Sequence, residues 1–157
     1  MNTTPLDREA ASELHTMLSP ELRMKIARYE HTETVPKGTK LLEHDVPPKR
    51  LAILNSGRVE VRLAGVRKSA SIDDVPTGKV FGMRAVVFGE LPQIDVICME
   101  TCQVTFLPSD VFLRLLKANP EVYFVVAKVL AADLQIANRI LRKCSRRSNT
   151  RLPSQAG

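Results

Sequence analysis

The sequence has no tryptophan, two tyrosines and five phenylalanines in 157 residues. A nucleic-acid surface that stacks bases on aromatic rings is therefore not expected. Cysteine is scarce as well: Cys98, Cys102 and Cys144 form an odd set. The start MNTTPLDREA has no apolar signal core, so the expected location is the reducing cytoplasm. No apolar run approaches the ~20 residues that a membrane-spanning helix needs. Catalytic signatures are missing too: there is no GxxxxGK[ST] phosphate loop, no GxSxG turn and no HExxH helix. Cys98 and Cys102 stand in a CxxxC spacing with no partner cluster, and His15, His31 and His44 are scattered. No metal site is expected, and the cysteines read as small buried hydrophobes. The chain is expected not to be an enzyme.

Acidic residues are absent from 139–157, where Arg139, Arg142, Lys143, Arg146, Arg147 and Arg151 supply the formal net charge of +6. The remaining residues, 1–138, are neutral in sum. A basic end attracts nucleic acid or anionic lipid without specificity. It equally suits a solubilising tail whose first part is a helix C-terminus, where cations complement the dipole. Residues 145–157 are assigned to a disordered tail.

What is present is the composition of an ordinary globular domain, 44% apolar and 25% charged. Residues 6–17 and 20–30 read as two helices, the second with Ser19 as N-cap and Pro20 at its first position. Leu18, Leu22, Ile26 and Tyr29 recur at helical spacing and would dock on a core. Between Thr32 and Leu107 the pattern turns to short β-type runs: ETV, TKLLE, LAILNS, RVEVRLA, KSASI, QIDVICM and CQVTFL. Gly and Pro punctuate them, which predicts a sandwich, barrel or jelly roll. Val59, Val61 and Leu63 alternate with Glu60 and Arg62, giving that strand one buried face. Ser109 is expected to cap a helix in DVFLRLLKANP, and a long helix is expected over 121–144.

The long helix carries two apolar seams at heptad rhythm. One is Tyr123, Ala127, Leu130, Leu134, Ala137, Leu141 and Cys144. The other is Val122, Val126, Val129, Asp133, Ile136 and Ile140. One seam is expected to face the β body and the other a second copy, and the Val122 seam is assigned to the dimer. The predicted fold class is α+β, a β-roll flanked by N-terminal helices and a long C-terminal helix. Residues 1–17 are assigned to a helical extension and 18–144 to the domain.

Several motifs, in order, resemble the cyclic-nucleotide-binding domain of the catabolite activator protein and protein kinase A regulatory subunit superfamily. PKGTKLLEHD is similar to its first turn, with Gly38 and Asp45 in place, although His44 stands where the family prefers glycine. LAILNSGRVEV looks like its central hairpin, with Gly57 at the turn. VPTGKVFG resembles the approach to its phosphate-binding cassette, with Gly78, Phe81 and Gly82. CQVTFLPSDVFLRLLKANPEV is similar to its last strand and hinge helix. The likeness spans about residues 18–143 and implies a regulatory module. No helix-turn-helix follows the long helix, so specific DNA binding is not expected; no membrane role is expected either.

In binding members the cassette reads about F-G-E-x-A-L-L-x-G-x-P-R-S/T-A; the Glu takes the ribose hydroxyl and the Arg pairs with the cyclic phosphate. Here Phe81, Gly82, Ala85, Val86, Val87 and Gly89 match. Met83 stands at the Glu position, Pro92 at the Arg position and Gln93 at the hydroxyl position; shifting by one places Gln93 and Ile94 there instead. The resemblance thus implies a ligand site of Gly82, Met83, Arg84, Ala85, Val86, Pro92, Gln93 and Ile94. Asp133, Gln135 and Asn138 lie where family members reach towards the purine, and Asp133 pointing inward would repel a phosphate. No cofactor is expected, and cAMP or cGMP are disfavoured. The expected function is a dimeric cyclic-nucleotide-binding-like regulatory module with a diverged pocket, acting on a protein partner or a non-standard ligand. Two alternatives stay open. One is a genuine cAMP or cGMP sensor in which Arg84 replaces the missing cation. The other is a nucleic-acid-associated protein acting through the basic end.

Overall fold

The computed structural model describes residues 12–151. It opens with α1 (Glu13–Met17) and α2 (Pro20–Ala27). Each has a serine N-cap: Ser12 Oγ accepts from His15 N at 2.9 Å, and Ser19 Oγ from Leu22 N at 3.4 Å. Leu18, Leu22 and Ile26 are buried as their spacing predicts, but Tyr29 lies beyond the helix and is exposed. Leu14 is wholly buried in the same core as Leu18. Through Leu14, α1 packs on the core of the domain expected over residues 18–144. The first eleven residues of the expected extension lie outside the described residues.

Seven strands follow: β1 (His31–Val35), β2 (Lys40–Leu42), β3 (Arg50–Ser56), β4 (Val59–Leu63), β5 (Val80–Phe81), β6 (Ile94–Cys98) and β7 (Cys102–Pro108). They form two antiparallel sheets, ordered β1-β7-β3-β5 and β2-β6-β4. This is the β-roll. KSASI is the exception among the expected strands, forming a short 3-10 turn (Lys68–Ala70) and a single bridge from Ile72 to Val61.

Period-two alternation explains the two cores. On β3, Ala52 and Leu54 turn into the space between the sheets, while Leu51 and Ile53 turn towards the helices. A central strand buried on both faces reads as a continuous apolar run, which LAIL is. On β4 the expected solvent face is closed as well: Glu60 is buried, accepting from Arg62 Nε at 3.0 Å and Nη2 at 2.5 Å. The β3–β4 turn needs Gly57, whose φ is 102°. A Cβ there would lie 2.6 Å from Cys102 Sγ, so both conformation and space demand glycine.

After β7 come α3's later neighbours in the chain, α4 (Ser109–Ala118) and the 30-residue α5 (Val122–Arg151), α3 being the cassette helix Met83–Phe88. Ser109 is not the cap of α4; Pro108 holds that position, and Ser109 Oγ donates to Pro48 O at 3.0 Å. The helix α5 runs seven residues past its expected end, because no Gly or Pro interrupts the chain before Pro153. The tail assigned to 145–157 is thus helical as far as Arg151, and 152–157 lie outside the described residues.

The inward face of α5 is the Val122 seam. Val122, Val126 and Val129 pack in the helix core, and Ile140 packs in the sheet core. Assigning this seam to a second copy is therefore corrected: those side chains are covered by their own chain. Asp133 and Ile136, on the same seam, are half-buried. The other seam is outward only in part: Tyr123, Leu134 and Leu141 are each more than half exposed, whereas Leu130 and Cys144 pack against the cores.

Candidate functional site

The short strand β5 pairs with β3 through Ala52–Phe81 and Ile53–Val80, which fixes where the following turn begins. Gly82 then takes φ 97° and starts α3; Gly89 ends it, also at positive φ. A Cβ on Gly82 would make only ordinary contacts, at 3.6 Å to Leu42 and 3.7 Å to Leu51. Backbone conformation, not crowding, is what this position requires. No side chain caps α3, so its first amide groups lack a side-chain acceptor.

The side chains around this backbone point in different directions. Met83 is 0% exposed and packs in the helix core with Leu14, Val80 and Val86. It does not face the cavity beside α3. Ala85, Pro92, Gln93 and Ile94 do line that cavity, together with Gly82 and Arg84. Arg84 is exposed, and its Nε lies 3.2 Å from Glu90 Oε2, an ion pair in solvent. Gln93 is exposed, and its carbonyl accepts from Ala64 N at 2.7 Å. Pro92 O accepts from Asp45 N at 3.0 Å, tying the segment after α3 to the β2–β3 loop. His44 in that loop donates through its backbone N to Asp95 Oδ1 at 2.9 Å, and its Nδ1 lies 2.8 Å from the same oxygen. Burial pushes the Asp95 carboxyl up, but the His44 contacts outweigh it and hold it below the usual carboxylate range. A side chain at this family-glycine position is thus accommodated by a specific acceptor.

The cavity measures about 340 Å³, within the range of small-molecule pockets. Apolar groups dominate it, from Val61 and Phe81 on the β body to Leu130 and Ala137 on α5. Phe88, Leu91 and Leu134 stand exposed at its rim. Its charged members are Arg84 and Asp133. Gln135 and Asn138 are exposed and do not line it.

Asp133 belongs to a cluster that joins three elements. Lys79, immediately before β5, is 4% exposed. Its Nζ lies 3.1 Å from Glu13 Oε1 on α1 and 2.5 Å from Asp133 Oδ1 on α5. Glu13 Oε1 also accepts from Val80 N at 3.0 Å. Burial pushes the Asp133 carboxyl above its ordinary range; Lys79 opposes that without cancelling it. Sequence reasoning missed Lys79 and Glu13. The available signal was a lysine inside the apolar run GKVFG and an aspartate inside an otherwise apolar helix seam, which suggests that the two meet.

Among the described residues no group of three or more His, Cys, Asp or Glu is arranged to hold a metal ion, and no helix is long and apolar enough to cross a membrane. The basic side chains Arg139 and Lys143 turn back to the body, to Asp74 and to Ser71 O.

The family described as cyclic nucleotide-binding domain matches residues 32–119. No curated protein matches the sequence. Among solved structures, the catabolite activator protein of Thermus thermophilus is similar at 20% identity and TM-score 0.64, over 85% of this chain and 63% of that one. PKAR CBD2 bound to Sp-2Cl-cAMPS is similar at 17% identity and TM-score 0.61, over 89% of this chain and 94% of that one. The regulatory subunit of a cAMP-independent protein kinase A from Trypanosoma brucei is similar at 15% identity and TM-score 0.61, over 84% of this chain and 46% of that one. The chain therefore spans less than two thirds of the length of the first and last of these. Since the match covers more than half of its residues, the chain belongs to the cyclic nucleotide-binding domain family.

Proposed function

We propose that this domain senses something other than a cyclic nucleotide, either a different small molecule in the cassette cavity or a protein partner, and that it works as a dimer. The observation that carries the reading is the cassette's lack of an acid and a free cation facing the cavity. Met83 is turned into the core, Pro92 and Gln93 carry no charge, and Arg84 is engaged by Glu90 at the surface. A hydrogen bond to a charged group contributes about 1.5–3 kcal/mol. Without both the ribose and the phosphate contact, affinity falls by roughly a hundred- to ten-thousand-fold. The apolar walls also offer a phosphate monoanion little in return for its lost hydration. A regulatory subunit named as cAMP-independent in Trypanosoma brucei supports the reading that this fold can regulate without cAMP.

Dimerisation is supported by the outward seam of α5, where Tyr123, Leu134 and Leu141 are 54%, 63% and 51% exposed at heptad spacing. Calorimetric titration with cAMP and with cGMP tests the ligand half; micromolar binding of either overturns it. Sedimentation of the wild type against Leu134→Glu tests the dimer half. The expected result is a concentration-dependent dimer that the substitution abolishes, and a wild type that stays monomeric at high concentration overturns it.

A further inference from the structure

We infer that the cavity beside α3 takes a small, mainly apolar molecule that carries a hydrogen-bond donor and no negative charge, with that donor on Asp133. The inference rests on the reading that this site does not serve a cyclic nucleotide. Three observations bear on the chemistry. The walls are mainly apolar, with Val61, Phe81 and Ile94 from the β body, Ala85 from α3, and Leu130 and Ala137 from α5; Arg84, Gln93 and Asp133 are the polar side chains among them. Burying an apolar ligand against them is favourable. The volume, about 340 Å³, suits a compact ring system rather than a long chain or a dinucleotide.

The charges give the sign. Arg84 and Glu90 offset each other at the rim. Inside, Lys79 is shared by two carboxylates, Glu13 and Asp133, so the cluster is negative by one charge when both are ionised. An anion brought beside it is repelled in a medium of low dielectric. Asp133 lines the cavity with its side chain 33% exposed. Its Oδ1 is held by Lys79, and it makes no other hydrogen bond among the described residues. One carboxylate oxygen therefore stays available to accept from a ligand N–H or O–H, with its partner oxygen fixed in place. Mainly apolar walls with a few placed polar groups are the usual build of a small-molecule site.

Three probes with one ring and different charge test the inference: indole, tryptamine and indole-3-acetate. The chain has no tryptophan, so indole fluorescence is read without a tryptophan background. Indole and tryptamine are expected to bind with blue-shifted emission, and indole-3-acetate about tenfold or more weakly, the size of a modest charge repulsion. Ala137→Phe, which fills the cavity from α5, is expected to abolish the shift. Asp133→Asn is expected to narrow the difference between indole and indole-3-acetate. Should that variant fold poorly, the ranking of the three probes on the wild type decides alone. Indole-3-acetate binding as tightly as indole overturns the charge argument. Absence of binding by all three, with cAMP also silent, overturns the inference while leaving the proposed function standing. Tight cAMP binding overturns both. Indole binding that weakens as protein concentration rises would seat a second copy over the cavity and overturn the assignment to a small molecule.

Discussion

Replacing Lys79 with methionine removes one ammonium and leaves two carboxylates facing each other. Lys79 is 4% exposed and lies 3.1 Å from Glu13 and 2.5 Å from Asp133. Removing one partner of a buried ion pair destabilises by about 3–5 kcal/mol, because an uncompensated charge is left behind. Here the two carboxylates keep some water: their side chains are 25% and 33% exposed. The expected loss therefore falls below that range, at about 2–3 kcal/mol, from a total that is typically 5–15 kcal/mol. Lys79→Met with Asp133→Asn is expected to lose less than Lys79→Met alone, because the stranded charge is removed. Urea unfolding followed by circular dichroism measures both, with the slope of the transition unchanged. The cluster joins α1 and α5 to the start of β5, so amides of α1 and of α5 around Asp133 should exchange faster in Lys79→Met than those of β3 and β7. A loss under about 0.5 kcal/mol, or strict additivity of the two substitutions, would show that the cluster is an ordinary surface arrangement.

Other consequences follow from single residues. Asp95 titrates below its usual range, so the stability it contributes is present above about pH 3.8 and is lost as pH falls through its lowered folded value. Asp95→Asn should flatten that part of an acid-unfolding curve. Asp133 has the opposite sign: its raised folded value adds stability that is full below about pH 3.8 and lost as pH rises through that folded value, a limb that Asp133→Asn should remove. Burial and the neighbouring Cys102 push the Cys98 thiol up to about 12, and both thiols are buried, so a thiol reagent should label Cys144 first and the other two only on unfolding. Rapid labelling of the native Cys144→Ser variant would contradict this. Gly57→Ala combines a φ of 102° with a Cβ 2.6 Å from Cys102 Sγ, and should destabilise by about 2–4 kcal/mol in the same urea assay.

The β-roll was legible because its strands state their environments directly. LAILNS and RVEVRLA both form strands, β3 and β4, but they are not the paired hairpin expected across Gly57: β3 pairs with β7 in one sheet and β4 with β6 in the other. KSASI misled because β-branched and small residues resemble a strand, whereas its run is a turn plus one bridge. The seams of α5 were legible as two stripes, but their assignment was not. Heptad rhythm alone does not say which stripe meets the body, and Asp133 sits on one of them. Its partner, Lys79, is 54 residues away in sequence and invisible to periodicity. Met83 shows the same limit at the candidate site. Its position in the cassette was evident from the glycines on either side, but the direction of its side chain depends on how α3 packs against α1 and β5.

That direction decides what happens when the missing family residues are put back. Met83→Glu and Gln93→Arg look from the sequence like a repair of the cassette. Met83, however, is 0% exposed among Leu14, Val80 and Val86, so a glutamate there replaces a packed apolar side chain with a carboxyl that has no partner. Burying an unpaired polar group costs about 1–3 kcal/mol even when it stays protonated, and the lost methionine packing adds to this. Gln93 is exposed at the cavity, so an arginine there carries little stability cost and adds a cation where a phosphate would sit. The expected order is therefore asymmetric. Gln93→Arg should leave the unfolding midpoint nearly unchanged and bring indole-3-acetate closer to indole in affinity. Met83→Glu should lower the midpoint clearly, and the pair together should not bind cAMP in the micromolar range. Micromolar cAMP binding by the double variant at wild-type stability would mean that residue 83 can turn towards the cavity, and that only side chains separate this site from a cyclic-nucleotide site.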